Sequence, residues 1–268
     1  MTDFVFIDSG VGGIPYMTAL LQKEPDASCV YVADNANFPY GEKSHDEVVS
    51  CVVGVVQKIC DKFAPSVIVL ACNTISVNAL EVLRKKFVQV KFVGTVPAIK
   101  LASSVSQKKR IGLIASSSTC ENPYNIELKN KFASDCELIM RADAELISFI
   151  EEKGFTATES ELENAVQPAI EFFARKDCDA IVLGCTHFLN IKNVFEKVAL
   201  AHSIKIVDSV DGVVRHTLEV AGGVGRSIRE LTEYSSKTHG PSLFITGESN
   251  SSYKTICERY KINFGGKI

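Results

Sequence analysis

Val69-Leu-Ala-Cys-Asn-Thr74 and Val182-Leu-Gly-Cys-Thr-His187 decide how this chain reads. In each, an apolar run closes on a small residue and then on a cysteine followed by side chains that form hydrogen bonds. The full runs, Ser66–Ala71 and Ala180–Leu183, have strand length and are rich in Val and Ile, the residue types that suit a pleated and buried surface. Segments with apolar residues at three-to-four spacing follow them, Ile75–Phe87 after the first and Ile191–Ala199 after the second. A buried strand that hands over to an amphipathic helix is the repeating unit of a parallel sheet.

The same alternation extends in both directions. Strands are expected at Phe4–Ile7, Cys29–Val32, Lys91–Val93, Ile111–Ala115, Ile204–Val207 and Leu243–Thr246. Helices are expected at Val48–Phe63 and Leu162–Arg175, with another beginning near Ile14-Pro15. The class is α/β with mostly parallel sheets, and 268 residues suffice for two lobes of ordinary size. The echo between the two cysteine turns points to lobes of similar build, with the two thiols expected face to face across a cleft.

Composition narrows the function. Apolar residues make up 46%, charged residues 23%, and the formal net charge is −3, so no nucleic acid or other polyanion partner is expected. No apolar run approaches the roughly 18 residues of a membrane-spanning helix. The start, Met1-Thr-Asp-Phe-Val-Phe-Ile-Asp8, lacks the basic leader and apolar region of an export signal, and a cytoplasmic location is expected. Nine cysteines are scattered without a CxxC pair, so neither a zinc site nor a disulfide framework is expected. Most free cysteines are small buried hydrophobes, and only context sets one apart.

In open parallel sheets, sites form beyond the carboxyl ends of strands. Four such ends here carry small hydroxyl, thiol, amide or carboxyl groups: Asp8-Ser9, Cys72-Asn73-Thr74, Ser116 to Thr119, and Cys185-Thr186-His187. The loop Asp8-Ser-Gly-Val-Gly-Gly13 fits neither dinucleotide nor Walker spacing and reads as a tight turn that exposes Asp8 and Ser9. An Asp in that place also serves commonly as a helix cap. The polar loop Asp34–Ser44, with Tyr40 after Pro39, reads either as a surface connection or as a wall whose amides and tyrosine grip a small ligand. Thiolates are favoured near helix N-termini and imidazoles, and both cysteines follow a strand and precede a helical segment, with His187 two residues beyond Cys185. Two facing thiols suit a reaction that removes a proton from one face of a carbon acid and delivers one to the other. A cysteine hydrolase built on Cys185 and His187 would leave Cys72 without a role. A binding protein that had lost catalysis would not need both thiols.

These residues resemble the bacterial glutamate racemases, cofactor-independent members of the aspartate/glutamate racemase superfamily. The resemblance is carried by Asp8–Gly13, Ala33-Asp34 with Phe38–Ser44, Ala71–Thr74, Gly94–Ala98, Leu183–His187, Val207–Ser209 and Thr246-Gly247. It implies two pseudo-symmetric α/β lobes, the first formed by residues 1–96 and 212–268 and the second, inserted, by 97–211. It implies Cys72 and Cys185 as the proton donor and acceptor pair, the first working on D-glutamate and the second on L-glutamate. Asp8 and His187 would assist them, and Glu151, rather than its neighbour Glu152, would be a further acidic site residue. Substrate contacts would come from Asp8, Ser9, Tyr40, Gly41, Asn73, Thr74, Thr119, Thr186 and His187. The resemblance further implies D-glutamate supply for peptidoglycan, no cofactor or metal, and a homodimer. Aspartate or another related substrate stays open as an alternative. The chain departs from the family pattern at Asn122 and Asn125, where Ser and Tyr are common, and at Phe188-Leu189, which replaces a usual Tyr-Pro.

Overall fold

The computed structural model describes residues 2–222 and 240–268. The chain forms two compact units, Met1–Thr95 with Val210–Ile268, and Val96–Ser209. The first unit opens with β1 (Phe4–Asp8), α1 (Ile14–Lys23), β2 (Cys29–Ala33), a 3-10 turn at Tyr40–Glu42, α2 (His45–Phe63), β3 (Val67–Leu70), α3 (Asn73–Lys86) and β4 (Lys91–Gly94). The second unit contains α4 (Ile99–Val105), β5 (Arg110–Ala115), α5 (Ser117–Glu121), α6 (Tyr124–Phe132), β6 (Glu137–Ala142), α7 (Ala144–Lys153) and α8 (Glu159–Arg175). It continues through β7 (Ala180–Leu183), a 3-10 turn at Thr186–Ile191, α9 (Lys192–Leu200) and β8 (Lys205–Val207). The chain then returns to the first unit with α10 (Val210–Gly222), β9 (Ser242–Ile245), α11 (Ser252–Tyr260) and β10 (Asn263–Lys267).

The sheet of the first unit has the order β10-β9-β2-β1-β3-β4, and every pairing is parallel. Its register aligns Ile7 with Leu70, Asp8 with Ala33, and Ala33 with Ile245. The residues just past these strands, Cys72, Asp34 and Thr246, therefore gather with Asp8 at one end of the sheet. Side chains alternate between faces. Val5, Ile7, Val30, Val32, Ile68 and Leu70 join Val52, Val56 and Ile59 of α2 and Ile75, Ala79 and Leu83 of α3 in one core. Each Val, Ile or Leu of this set contributes about 1.5–3 kcal/mol by leaving water. The opposite face is covered by α1 and α10.

The second unit repeats the plan with the parallel order β6-β5-β7-β8. Ile111, Leu113, Ala115, Ala180, Val182 and Val207 pack with Ile99 and Ala102 of α4 and Leu128 of α6. On the other face Gly112 lies under the Phe173 ring of α8, so closely that a Cβ there would stand 2.6 Å from it. Capping boxes set where two helices start: Ser44 with Glu47 ahead of α2, and Thr158 with Glu161 ahead of α8.

The α/β class with parallel sheets is therefore observed, and all eight expected strands form within a residue or two of their expected bounds. Two further strands, β6 and β10, were not expected. Both are sheet edges, where ELIMRA and NFGGK are largely half-buried or exposed and need no apolar alternation. The segment expected as a helix at Ile191–Ala199 is preceded by the 3-10 turn, so α9 starts seven residues beyond Cys185, at Lys192. Among the described residues no helix is long and apolar enough to cross a membrane.

Candidate active site

In the first unit the thiol turn is held from three sides. Cys72 has extended backbone angles, φ −151° and ψ 123°, and occupies the N-cap position of α3, so it stands where the helix's first amide groups have no partner within the helix itself. Ser76 Oγ donates to the Cys72 carbonyl at 2.8 Å and accepts the Thr95 N–H at 2.8 Å, which fastens the first turn of the helix to the end of β4. The glycine loop presses on the residue before the thiol: a Cβ on Gly13 would stand 2.4 Å from the Ala71 carbonyl oxygen and 2.6 Å from Ala71 Cβ. Tyr31 pins that loop, its hydroxyl accepting from the Gly13 N–H and donating to the Gly10 carbonyl, both at 2.9 Å.

This arrangement corrects the expectation that the loop exposes Asp8 and Ser9. Both are buried, because the loop folds back over the sheet end instead of projecting from it. The Ser9 N–H donates to Asp8 Oδ1 at 2.7 Å. Asn73 and Thr74, the first two residues of α3, are buried as well, and Asn73 Oδ1 has no hydrogen-bond partner among the described residues. A buried amide oxygen left unpaired costs roughly 1–3 kcal/mol and is an acceptor ready for a donor from a ligand.

Tyr40 is fully buried, in the same core as Cys72. Its hydroxyl donates to Asp34 Oδ2. Burial first, and then the Asp34 charge and hydrogen bond, push the phenol far above its ordinary value, so it remains a donor. The phenol is thus committed internally. What this turn can offer a ligand is the backbone N–H groups of Tyr40 and Gly41 at the start of the 3-10 segment.

The second unit's turn is built differently. Cys185 caps a 3-10 turn rather than an α-helix, again with extended angles, φ −128° and ψ 139°. Gly184 before it is needed for close approach, since a Cβ would stand 2.5 Å from Leu113 Cδ1 and 3.0 Å from the Ile114 carbonyl oxygen. The Cys185 sulfur lies 3.6 Å from His187 Nδ1, and His187 Nε2 lies 2.9 Å from Glu151 Oε2 on α7. Burial by itself pushes the imidazole down. The hydrogen bonds to Cys185 and Glu151 outweigh it and hold His187 well above the ordinary value of 6.5. Doubly protonated, the imidazole donates to Glu151 and to a Cys185 thiolate; neutral, with its proton on Nε2, it donates to Glu151 and accepts the S–H of a Cys185 thiol, so its protonation follows that of the sulfur.

Glu151 is therefore the carboxylate beside the thiol turn, while Glu152 is exposed. Thr186 is buried, as is Thr119, whose hydroxyl meets Ser116 Oγ at 3.0 Å. Thr119 lies on α5, and its neighbour Cys120 is within electrostatic reach of Cys185. The four departures from the family pattern are packed into the second unit, although the buried Asn125 Oδ1 has no hydrogen-bond partner among the described residues. Phe188 packs edge-on against Phe195 at 5.5 Å, and Leu189 is buried beside it. Asn125 Nδ2 donates to the Thr119 carbonyl, and Asn122 Oδ1 accepts the Tyr124 N–H at 3.0 Å.

Other cysteines match the ordinary expectation. Burial pushes Cys29 far up, Cys120 and Cys178 to about 11, and Cys51, Cys60 and Cys257 upward, which suits small hydrophobes rather than reactive thiols. One residue that the sequence placed only in a loop is drawn into the centre: Asp34, fully buried beside Asp8 and bonded to Tyr40. Its signal in the sequence was a carboxylate just past β2, the neighbour of the strand that ends in Asp8.

Comparison with known proteins bears on the family and the fold. The chain is 39% identical over 262 residues to a glutamate racemase of Treponema pallidum, covering 98% of this chain and 93% of that protein. It superposes with a TM-score of 0.82 on Escherichia coli glutamate racemase, solved in complex with L-glutamate and the activator UDP-MurNAc-ala. That match has 28% identity and covers 100% of this chain and 98% of the other. Glutamate racemase isoform RacE1 of Bacillus anthracis shares the fold with a TM-score of 0.83 at 23% identity, over 100% of this chain and 97% of the other. The family model described as Asp/Glu/Hydantoin racemase matches residues 9–217, and the chain belongs to that family.

Proposed function

We propose that the protein interconverts L- and D-glutamate by acid/base catalysis with two thiols and no cofactor. The observation that carries the chemistry is the pair of strand-end cysteine turns, one in each unit, each held by close backbone packing on a neighbouring strand or loop. The choice of glutamate rests on the named relatives, and above all on the 39% identity to the Treponema pallidum enzyme.

In this reading one cysteine, as thiolate, removes the α-proton. The other, as thiol, delivers its own proton to the opposite face, so the inverted product leaves with the two sulfurs in exchanged protonation states. Running the exchange backwards regenerates the starting enzyme. Cys185 works on L-glutamate, with His187 and Glu151 balancing the charge that appears and disappears on its sulfur. Cys72 works on D-glutamate, assisted by Asp8. Buried donors offset the charge that develops on the α-carboxylate as the proton leaves. Ser9, Thr74, Thr119, Thr186, His187 and the amides of Tyr40 and Gly41 would receive the substrate's carboxylates. The orphaned Asn73 oxygen and the Asp8 carboxylate suit its ammonium group. The enzyme is expected in the cytoplasm as a homodimer, making D-glutamate for peptidoglycan.

The family description also covers aspartate and hydantoins, so the substrate needs a direct test. Purified protein is incubated with single enantiomers of glutamate and of aspartate, and optical rotation is followed. Loss of rotation with both glutamate enantiomers, and not with aspartate, supports the reading. Inversion of aspartate alone overturns the assignment of substrate.

A further inference from the structure

We propose that Asp34 is a positioning residue for substrate binding, acting through the Tyr40 phenol to fix the backbone amides of Tyr40 and Gly41. The inference rests on the racemase reading, in which those amides grip the substrate. Asp34 follows β2 directly and is fully buried. Its backbone N–H donates to the Asp8 carbonyl at 2.8 Å, which ties it to the strand end that carries the assisting carboxylate. Its side chain accepts from Asn37 Nδ2 at 3.1 and 2.9 Å, from Thr246 Oγ1 at 2.5 Å, and from the Tyr40 hydroxyl. These partners are all neutral donors. A buried carboxylate is expensive unless it is fully hydrogen-bonded, and apolar packing fills a core without that cost. The carboxylate has a use that apolar packing lacks, because several donors converging on one anion leave their parent segments a single arrangement.

It joins the loop that carries the Tyr40 and Gly41 amides to the ends of β1 and β9. Asn37 and Tyr40 bracket the loop that leads into the 3-10 turn, and the Asn37 N–H also closes on the Asp34 carbonyl at 3.0 Å. Thr246, at the end of β9, anchors the far side, and Asn35 Oδ1 reinforces it by accepting the N–H groups of Thr246 at 3.2 Å and Gly247 at 2.7 Å. The tyrosine ring is a stiff lever between the anion and the main chain at position 40.

Three variants separate this role from simple stabilisation. Tyr40→Phe removes the phenol oxygen and leaves Asp34 with the Asn37 and Thr246 donors. Asp34→Asn removes the charge. Thr246→Val removes a donor of the same carboxylate and the acceptor of the Ala36 N–H at 3.2 Å, while the Asn35 anchors and the Tyr40 hydrogen bond to Asp34 remain. Each is melted by circular dichroism and assayed for racemisation of both glutamate enantiomers at a temperature where it is folded. Tyr40→Phe and Asp34→Asn should raise KM about tenfold with kcat within about threefold, since the lost contact serves ground and transition states alike. The double variant should be no worse than the weaker single one, because both act through one bond. Thr246→Val should melt earlier yet keep KM within about twofold of wild type. If Asp34→Asn does not fold, Tyr40→Phe decides. Unchanged KM in Tyr40→Phe, or an equal rise in Thr246→Val, overturns the positioning role. Wild-type protein that leaves glutamate unracemised overturns the racemase reading itself, a result distinct from either.

Discussion

Glu151→Gln keeps the shape of the side chain and removes its charge from the imidazole 2.9 Å away. His187 and Glu151 side chains are only 3% and 14% exposed, so water does little to dilute the change. A hydrogen bond to a charged group is worth about 1.5–3 kcal/mol and a neutral one about 0.5–1.5 kcal/mol. The difference, about 1–1.5 kcal/mol, corresponds to a loss of about 5- to 13-fold in kcat if the protonated imidazole supports the Cys185 sulfur through the proton transfer. The sign with pH follows from the opposing influences on His187. Burial pushes it down, while Cys185 and Glu151 hold it up. Without Glu151 the imidazole gives up its proton at lower pH, so the deficit of the variant should widen as pH rises from 6 to 8. Stability should show the same linkage. A folded-state value above the unfolded one gives a contribution that is full below about pH 6.5 and lost as pH rises through the folded value. That slope should flatten in Glu151→Gln. Steady-state racemisation and thermal melting across pH, with the exposed Glu152→Gln as control, test both. Activity of Glu151→Gln within twofold of wild type at every pH, or a deficit confined to KM, would refute the relay.

Cys72→Ser and Cys185→Ser should each lower racemisation about a hundredfold or more, the usual scale of a lost acid/base group, while calorimetry still detects glutamate binding; wild-type turnover in either variant counts against the pair. Gly13→Ala forces a Cβ to within 2.4 Å of the Ala71 carbonyl oxygen. Because that neighbour is backbone, the overpacking should cost about 1–3 kcal/mol, read as an earlier melt together with lower kcat through the displaced Cys72 turn. An unchanged melting temperature would show that the loop is looser than its packing implies.

Much of this was legible before any coordinates. Central strands such as Val67–Leu70 and Ala180–Leu183 are buried on both faces and therefore carry continuous Val, Ile and Leu runs that announce themselves. The edge strands β6 and β10 obey no such demand, and their sequences gave no sign. Cys72 and Cys185 could be singled out because their turns echo each other. The relay to Glu151 could not be read from spacing, since it depends on how α7 packs against the 3-10 turn, 36 positions away in sequence. Tyr40 stands out in its polar loop after Pro39, but the internal commitment of its hydroxyl to Asp34 is a tertiary fact. The burial of Asp8 and Ser9 was likewise hidden, because it arises from the Tyr31 hydroxyl drawing the glycine loop inward.

The claim that two thiols serve opposite faces of one carbon is tested most directly by the fate of the α-hydrogen in heavy water. L-glutamate is incubated with the enzyme in deuterium oxide, and at low conversion the D- and L-glutamate are separated and examined by mass spectrometry. With one thiol for each face, the D-glutamate should carry deuterium at the α-carbon while the remaining L-glutamate keeps its original hydrogen, and the mirror result should hold from D-glutamate. Deuterium entering the unreacted enantiomer as fast as inversion occurs, or D-glutamate that retains the original hydrogen, would mean a single group working on both faces and would contradict the two-thiol mechanism.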